Sequence, residues 1–132
     1  MEYTALIYTM VLISAADREM SDSELYSIGE IVRTLPIFEQ FDVDQLPRIA
    51  EDCASMLGED DGLEAVLRLV ADSLPERLRE TAYALACDVA AADGKVSQEE
   101  ARLLEMLRHR LEIDRLVSAG IERGARAHYH RI

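Results

Sequence analysis

An acidic bend, with the residues that flank it, occurs twice in this chain. One copy reads Ala91-Ala92-Asp93-Gly94-Lys95-Val96-Ser97-Gln98-Glu99-Glu100, and the other Ala15-Ala16-Asp17-Arg18-Glu19-Met20-Ser21-Asp22-Ser23-Glu24. The register is constant: Asp17 answers to Asp93, Ser21 to Ser97 and Glu24 to Glu100. Carboxylate and hydroxyl oxygens are the donors that hard cations such as calcium prefer. In a twelve-residue calcium loop a glycine at position six makes the sharp turn, position seven offers a backbone carbonyl, and a glutamate at position twelve binds through both oxygens. With Gly94 at position six, Asp93 falls at five, Lys95 at seven, Val96 at eight, Ser97 at nine and Glu100 at twelve. Val96 then takes the place of the apolar residue that pairs neighbouring loops.

The front half of that loop is missing, because Val89 and Ala91 fall where side-chain ligands belong. A set made of Asp93, the Lys95 carbonyl, Ser97 and Glu100 needs water or a second segment to complete it. Asp17 and Glu24 are the donors at hand if the two bends lie side by side. Asp88 is a further candidate, although Leu12 holds its place in the first copy.

The same residues also have a metal-free reading. Asp-Gly is a good turn, Ser-x-x-Glu is a capping box, and acidic residues in a first turn complement the helix dipole. Arg18 stands where the first bend would need glycine, and a left-handed turn there costs about 1 kcal/mol or more. A guanidinium is also a poor neighbour for a cation, and Arg18 is better used to pair a carboxylate of the other bend. The expectation is at most one cation site, centred on the second bend.

The elements that must position these residues read as helices throughout. Leu6, Ile7, Met10, Val11 and Ile13 give a first helix over about residues 3–16. Ser21 caps a second helix with Glu24 as its partner, Leu25, Ile28, Ile31, Val32 and Leu35 inward, and Pro36 as its stop. After a short segment at 37–41, a third helix covers about 44–57, with Leu46, Ile49, Ala50, Cys53 and Leu57 inward and Gly58 as its stop. A fourth begins after Asp60 or Asp61, carries Leu63, Val66, Leu67 and Val70, and closes before Pro75. Pro75 suits the first turn of a fifth helix through Leu78, Ala82, Leu85, Ala86 and Val89. Ser97 and Glu100 open a sixth with the stripe Leu103, Leu104, Leu107 and Leu111. A seventh covers about 114–127, with a frayed tail at His128, Tyr129 and His130. No segment has the period of a strand. The fold class is therefore all-α: a single domain over residues 1–132, a bundle of about seven helices containing two pseudo-repeated helix–loop–helix units. Short connections predict antiparallel packing of neighbours.

Composition supports that reading and narrows the partners. A chain of 132 residues, 49% hydrophobic, can bury a core of its own, and with 5% aromatics and no Trp that core is aliphatic. The net charge of −12 excludes nucleic acid, whose phosphates it repels. Charge is unevenly placed: Arg108, Arg110, Arg115, Arg123, Arg126 and Arg131 outnumber Glu112, Asp114 and Glu122 at the C-terminal end. That basic helix is expected to dock on the acidic body. Leu116, Ile121 and Ala125 make too weak a stripe for a membrane surface. Cys53 and Cys87 sit in apolar helical surroundings without metal-ligand spacing and read as buried free thiols. The apolar run at 3–16 is too short to span a bilayer, and no positive region precedes it. The location expected is the cytoplasm, with no direct membrane insertion.

The bend residues resemble the tellurite resistance protein TerB family. The signature is an Ala-rich helix, Ala-Asp-Gly, an aliphatic residue and Ser/Thr-x-x-Glu, here Ala91 through Glu100, with a degenerate first copy at Ala16-Asp17 and Ser21 to Glu24. The resemblance implies a helical bundle, a non-enzymatic role, acidic residues that bind divalent cations, and a place in stress-response assemblies, some at the inner face of the membrane. Arg18 departs from the family's bend.

Three readings follow. The first is a cation-responsive, tellurite-resistance-related adaptor with a calcium-like ion on Asp93 and Glu100, helped by Asp17 and Glu24. The alternative is a metal-free protein–protein interaction module, similar to the N-terminal part of a membrane-anchored DnaJ-like co-chaperone, with Ile37, Phe38 and Phe41 either anchoring a partner or covering a gap between helices. Protein partners are expected in both, and a homodimer is compatible with either. An enzyme is the weakest reading. Glu105 is followed at Glu-x-x-His spacing by Arg108, with His109 one place too late, and no His-Glu-x-x-His, phosphate loop or nucleophile elbow occurs.

Overall fold

The computed structural model describes residues 1–17, 21–92 and 94–132, with Asp17 through its backbone alone. Its organising element is α1 (Glu2–Ser14), in which every residue from 5 to 14 is buried. The sequence stripe predicts one inward face. The structure buries the opposite side as well, Thr9 and Leu12 included. A helix apolar all round belongs at the centre of a bundle. Its one buried threonine is satisfied locally, since Thr9 Oγ1 donates to the Ala5 carbonyl at 2.8 Å.

The other helices are α2 (Asp22–Thr34), α3 (Leu46–Leu57), α4 (Gly62–Ser73), α5 (Arg79–Ala91), α6 (Gln98–Arg110) and α7 (Arg115–His128), and no strand occurs among the described residues. The fold is all-α, as the sequence predicts. Packing is centred on α1, which meets α3, α4, α5 and α6, while α7 packs on α5. Simple pairing of chain neighbours therefore gives only part of the arrangement. Of the consecutive pairs, α3–α4 and α5–α6 pack substantially, whereas α6 and α7 diverge from their shared turn. The physical reason is that the fully apolar α1 offers each amphipathic helix a better face than its neighbour does.

Local signals account for most of the helix ends. Asp42 accepts the Asp44 N–H and starts a 3-10 turn, Val43–Gln45, so the α-helical part of α3 begins at Leu46 and not at 44. Pro75 opens the turn Glu76–Leu78 that leads into α5. Asp114 caps α7 through the Leu116 and Val117 amides. α6 ends without glycine: Glu112 stands in the left-handed region at φ 56°, the Ile113 N–H returns to Arg108 O, and the Glu112 N–H returns to His109 O. Arg79 holds this strained turn, donating to Leu111 O at 3.3 Å and to Glu112 at 3.2 Å.

One pair of alternatives is decided and two expectations are corrected. Phe38 is buried, and Phe41 is half-buried beside it; both rings pack on Tyr3, with centroids 6.1 and 5.2 Å away, so they close the end of α1 and do not form an exposed anchor. Leu116 does not serve the inward stripe of α7, for it is 82% exposed. The inward face of α7 keeps Ile121 and Ala125 and adds Ser118 and Glu122 in place of Leu116. The tail is also not wholly frayed: His128 ends α7, and Tyr129 packs half-buried against the core with its N–H on Ala125 O and Arg126 O.

Candidate functional site at the acidic bends

Each bend lies between two helices that begin and end where the spacing predicts. The first continues α1 as a 3-10 turn, Ala15–Asp17, which packs against α6, so the fold brings the first bend to the helix that the second bend starts. In the second, Gly94 has φ 85°, the left-handed conformation that the sharp turn of a cation loop demands and that a side chain would resist.

Both capping boxes are complete. Ser21 Oγ accepts the Glu24 N–H at 3.1 Å, and Glu24 Oε1 accepts the Ser21 N–H at 2.9 Å. Ser97 Oγ accepts the Glu100 N–H at 3.0 Å, and Glu100 Oε1 accepts the Ser97 N–H at 2.9 Å. One oxygen of each glutamate is thus occupied in fixing its own helix start. A carboxylate has two oxygens with about four lone-pair sites, so a cap does not exhaust it. The two copies differ in burial: Glu24 is half-buried, but Glu100 is only 6% exposed.

Lys95 is exposed and Ser97 half-exposed. Asp93 and the carboxylate of Asp17 lie outside the described residues. Among the described residues no group of three His, Cys, Asp or Glu is placed to hold a metal ion. Asp88, the further candidate, is half-buried on α5 within electrostatic reach of His128 and Tyr129. Burial raises its pKa, and the nearby His128 opposes that rise. Val96 is 44% exposed and lines a recess between α5, α6 and α7.

Sequence reading missed the strongest polar link in this half of the molecule. Tyr83, buried on α5, donates its phenol hydrogen to Glu122 on α7 at 2.5 Å. Burial, with the Glu122 carboxylate behind it, pushes the phenol's pKa well up. The basic α7 therefore docks through this bond and its small-residue face, and none of its arginines forms an ion pair with the acidic body among the described residues. Tyr83→Phe should lower unfolding free energy by about 1.5–3 kcal/mol, the range for a hydrogen bond to a charged group. Urea denaturation at neutral pH measures this, and a loss below about 0.5 kcal/mol would show that the bond carries little of the docking.

Comparison with known proteins gives one result. A family model described as tellurite resistance protein TerB matches residues 3–121. No curated protein and no solved structure matches the chain.

Proposed function

Because the chain belongs to the tellurite resistance protein TerB family, we propose that it is a non-catalytic helical adaptor whose second acidic bend takes up a divalent cation such as calcium. The observation that carries this reading is Glu100. It is a carboxylate only 6% exposed, six residues after a left-handed glycine, and that spacing is the one between the sixth and twelfth positions of a cation loop. Asp93, the Lys95 carbonyl and Ser97 complete the local donor set, and Asp17 and Glu24 are the proposed contributors from the first bend. The ion would stiffen the bend between α5 and α6 and so present a fixed surface to a protein partner. A role in stress response or tellurite resistance is consistent with the family and is part of the proposal.

Calorimetric titration with calcium chloride tests the site. The wild-type chain should take up about one ion, and the Asp93→Asn, Glu100→Gln double variant should take up none while keeping its helical circular dichroism. Uptake that survives in the folded double variant would place the ion elsewhere. No uptake by the wild type would leave the bends as turns and caps alone.

A further inference from the structure

Beside the second acidic bend, α6 and α7 part from their common turn over a floor supplied by α5, and the gap between them holds a recess of about 420 Å³ that Val96 of the bend helps to line. Small residues make the space: Ala90 and Ala91 on α5, Ala101 on α6, Ala119 and Ala125 on α7. A second recess, about 570 Å³, shares Ala91, Val96 and Arg126 with the first and extends it to His130 and Arg131 at the chain's end. The result is a groove running beside most of α7, whose fourteen residues span about 21 Å.

The rim of this groove is cationic although the chain carries −12. Arg108 projects from α6, Arg115 and Arg126 from α7, and Arg131 follows in the extension. Among the described residues none of the four lies within ion-pair distance of a carboxylate. Of the other arginines, Arg110 and Arg68 meet Glu64, Arg79 meets Glu112 and Arg33 meets Glu30, whereas Arg48, Arg77, Arg102 and Arg123 also form no ion pair among the described residues, and Arg108 itself contacts His109 Nε2 at 3.0 Å. Two carboxylates also line the groove, Glu105 and Glu122, the latter keeping its charge while it accepts the Tyr83 phenol, so the arginines at the rim and in the extension outnumber the carboxylates four to two.

We infer that this groove binds a short acidic peptide segment of a partner protein, with carboxylates on Arg108, Arg115 and Arg126 and a small apolar side chain on the alanine floor. Arginine's planar fork suits bidentate recognition of carboxylates. Arg115 and Arg126 are eleven residues apart on one helix, about 16 Å. Cations at both ends of an elongated groove fit a chain with several acidic side chains better than one small anion. A recess floored by Cys87, Ala90 and Ala91 also fits an inserted side chain better than the flat surface of a bilayer. The groove borders the second bend through Val96 and Gly94, but none of the arginines that would hold the peptide belongs to the proposed cation donors.

An array of twelve-residue peptides tests it, each with four glutamates in varied helical spacing and alanine and leucine elsewhere, beside a matched array with glutamine for glutamate. Members of the glutamate array should bind the wild-type chain, and their glutamine counterparts at least tenfold more weakly. The Arg115→Glu, Arg126→Glu variant should lose at least tenfold. Arg123→Glu, on the same helix but outside the groove, should stay within about twofold, and melting curves confirm that each variant is folded. Failure of every glutamate peptide to bind, or undiminished binding by the double variant, would overturn the proposal. So would capture of the chain by phosphatidylglycerol vesicles with no peptide bound, which would make the rim a lipid contact.

Discussion

Replacing Gly62 by alanine should destabilise the protein by about 3 kcal/mol or more, beyond the usual cost of overpacking a core. A Cβ at this position would stand 2.0 Å from the Met56 carbonyl oxygen and 3.0 Å from Leu57 Cα. These are backbone atoms at the end of α3, so no side-chain rotation relieves the clash. Either the α3–α4 turn opens or α4 shifts on the core, where Val66, Leu67 and Val70 are buried. The neighbouring residue predicts the opposite sign. Asp61 holds φ 58° without being glycine, at a cost of about 1 kcal/mol. Asp61→Gly should therefore be neutral or stabilising by up to about 1 kcal/mol. Thermal and urea denaturation of the two variants decide the matter. A Gly62→Ala protein as stable as the parent would mean that the turn is not packed as described.

The second large effect is loss of stability in alkali. Burial pushes both thiols, Cys53 and Cys87, from 9.0 up to about 12, with Glu122 adding to the rise at Cys87. Above pH 9 the unfolded chain gives up these protons while the native chain keeps them. The unfolded state then binds fewer protons, so stability falls as pH rises. The contribution is complete below pH 9 and is lost progressively between 9 and about 12. One pH unit corresponds to about 1.4 kcal/mol per group, so each thiol withdraws on the order of 2 kcal/mol by pH 10.5. Tyr83, also raised by burial, adds in the same direction above pH 10. Urea titrations at pH 8 and 10.5 should show a loss of several kcal/mol in the parent, and a much smaller loss in Cys53→Ala, Cys87→Ala. Equal losses in the two proteins would remove the thiols as the cause. The native thiols should also react slowly with a disulfide reagent at pH 8, and quickly once unfolded, because the thiolate is the nucleophile.

The candidate site was legible where its geometry is local. A serine and a glutamate three residues on can find each other only within one helical turn, and both capping boxes form as read. Gly94 was legible for the same reason, since an Asp-Gly bend between helices needs a left-handed residue. Burial of Glu100 against the half-exposure of Glu24 was not legible, for the two motifs are alike and differ only in what packs over them.

By itself the sequence determined seven helices, most of their caps and stops, an aliphatic core and the membership that its twin bends signal, because these depend on contacts within a few residues. Tertiary structure decided the rest. It put α1 at the centre, turned Phe38 onto Tyr3, and left Leu116 in solvent while Ser118 faced α5. It made Gly62 the sterically required glycine of its turn, and held a glutamate at position 112 where a left-handed residue was needed. The arginine-rimmed groove exists only because α6 and α7 diverge over small residues of α5. Such features depend on which surfaces meet across the fold, and separation along the chain carries no record of that.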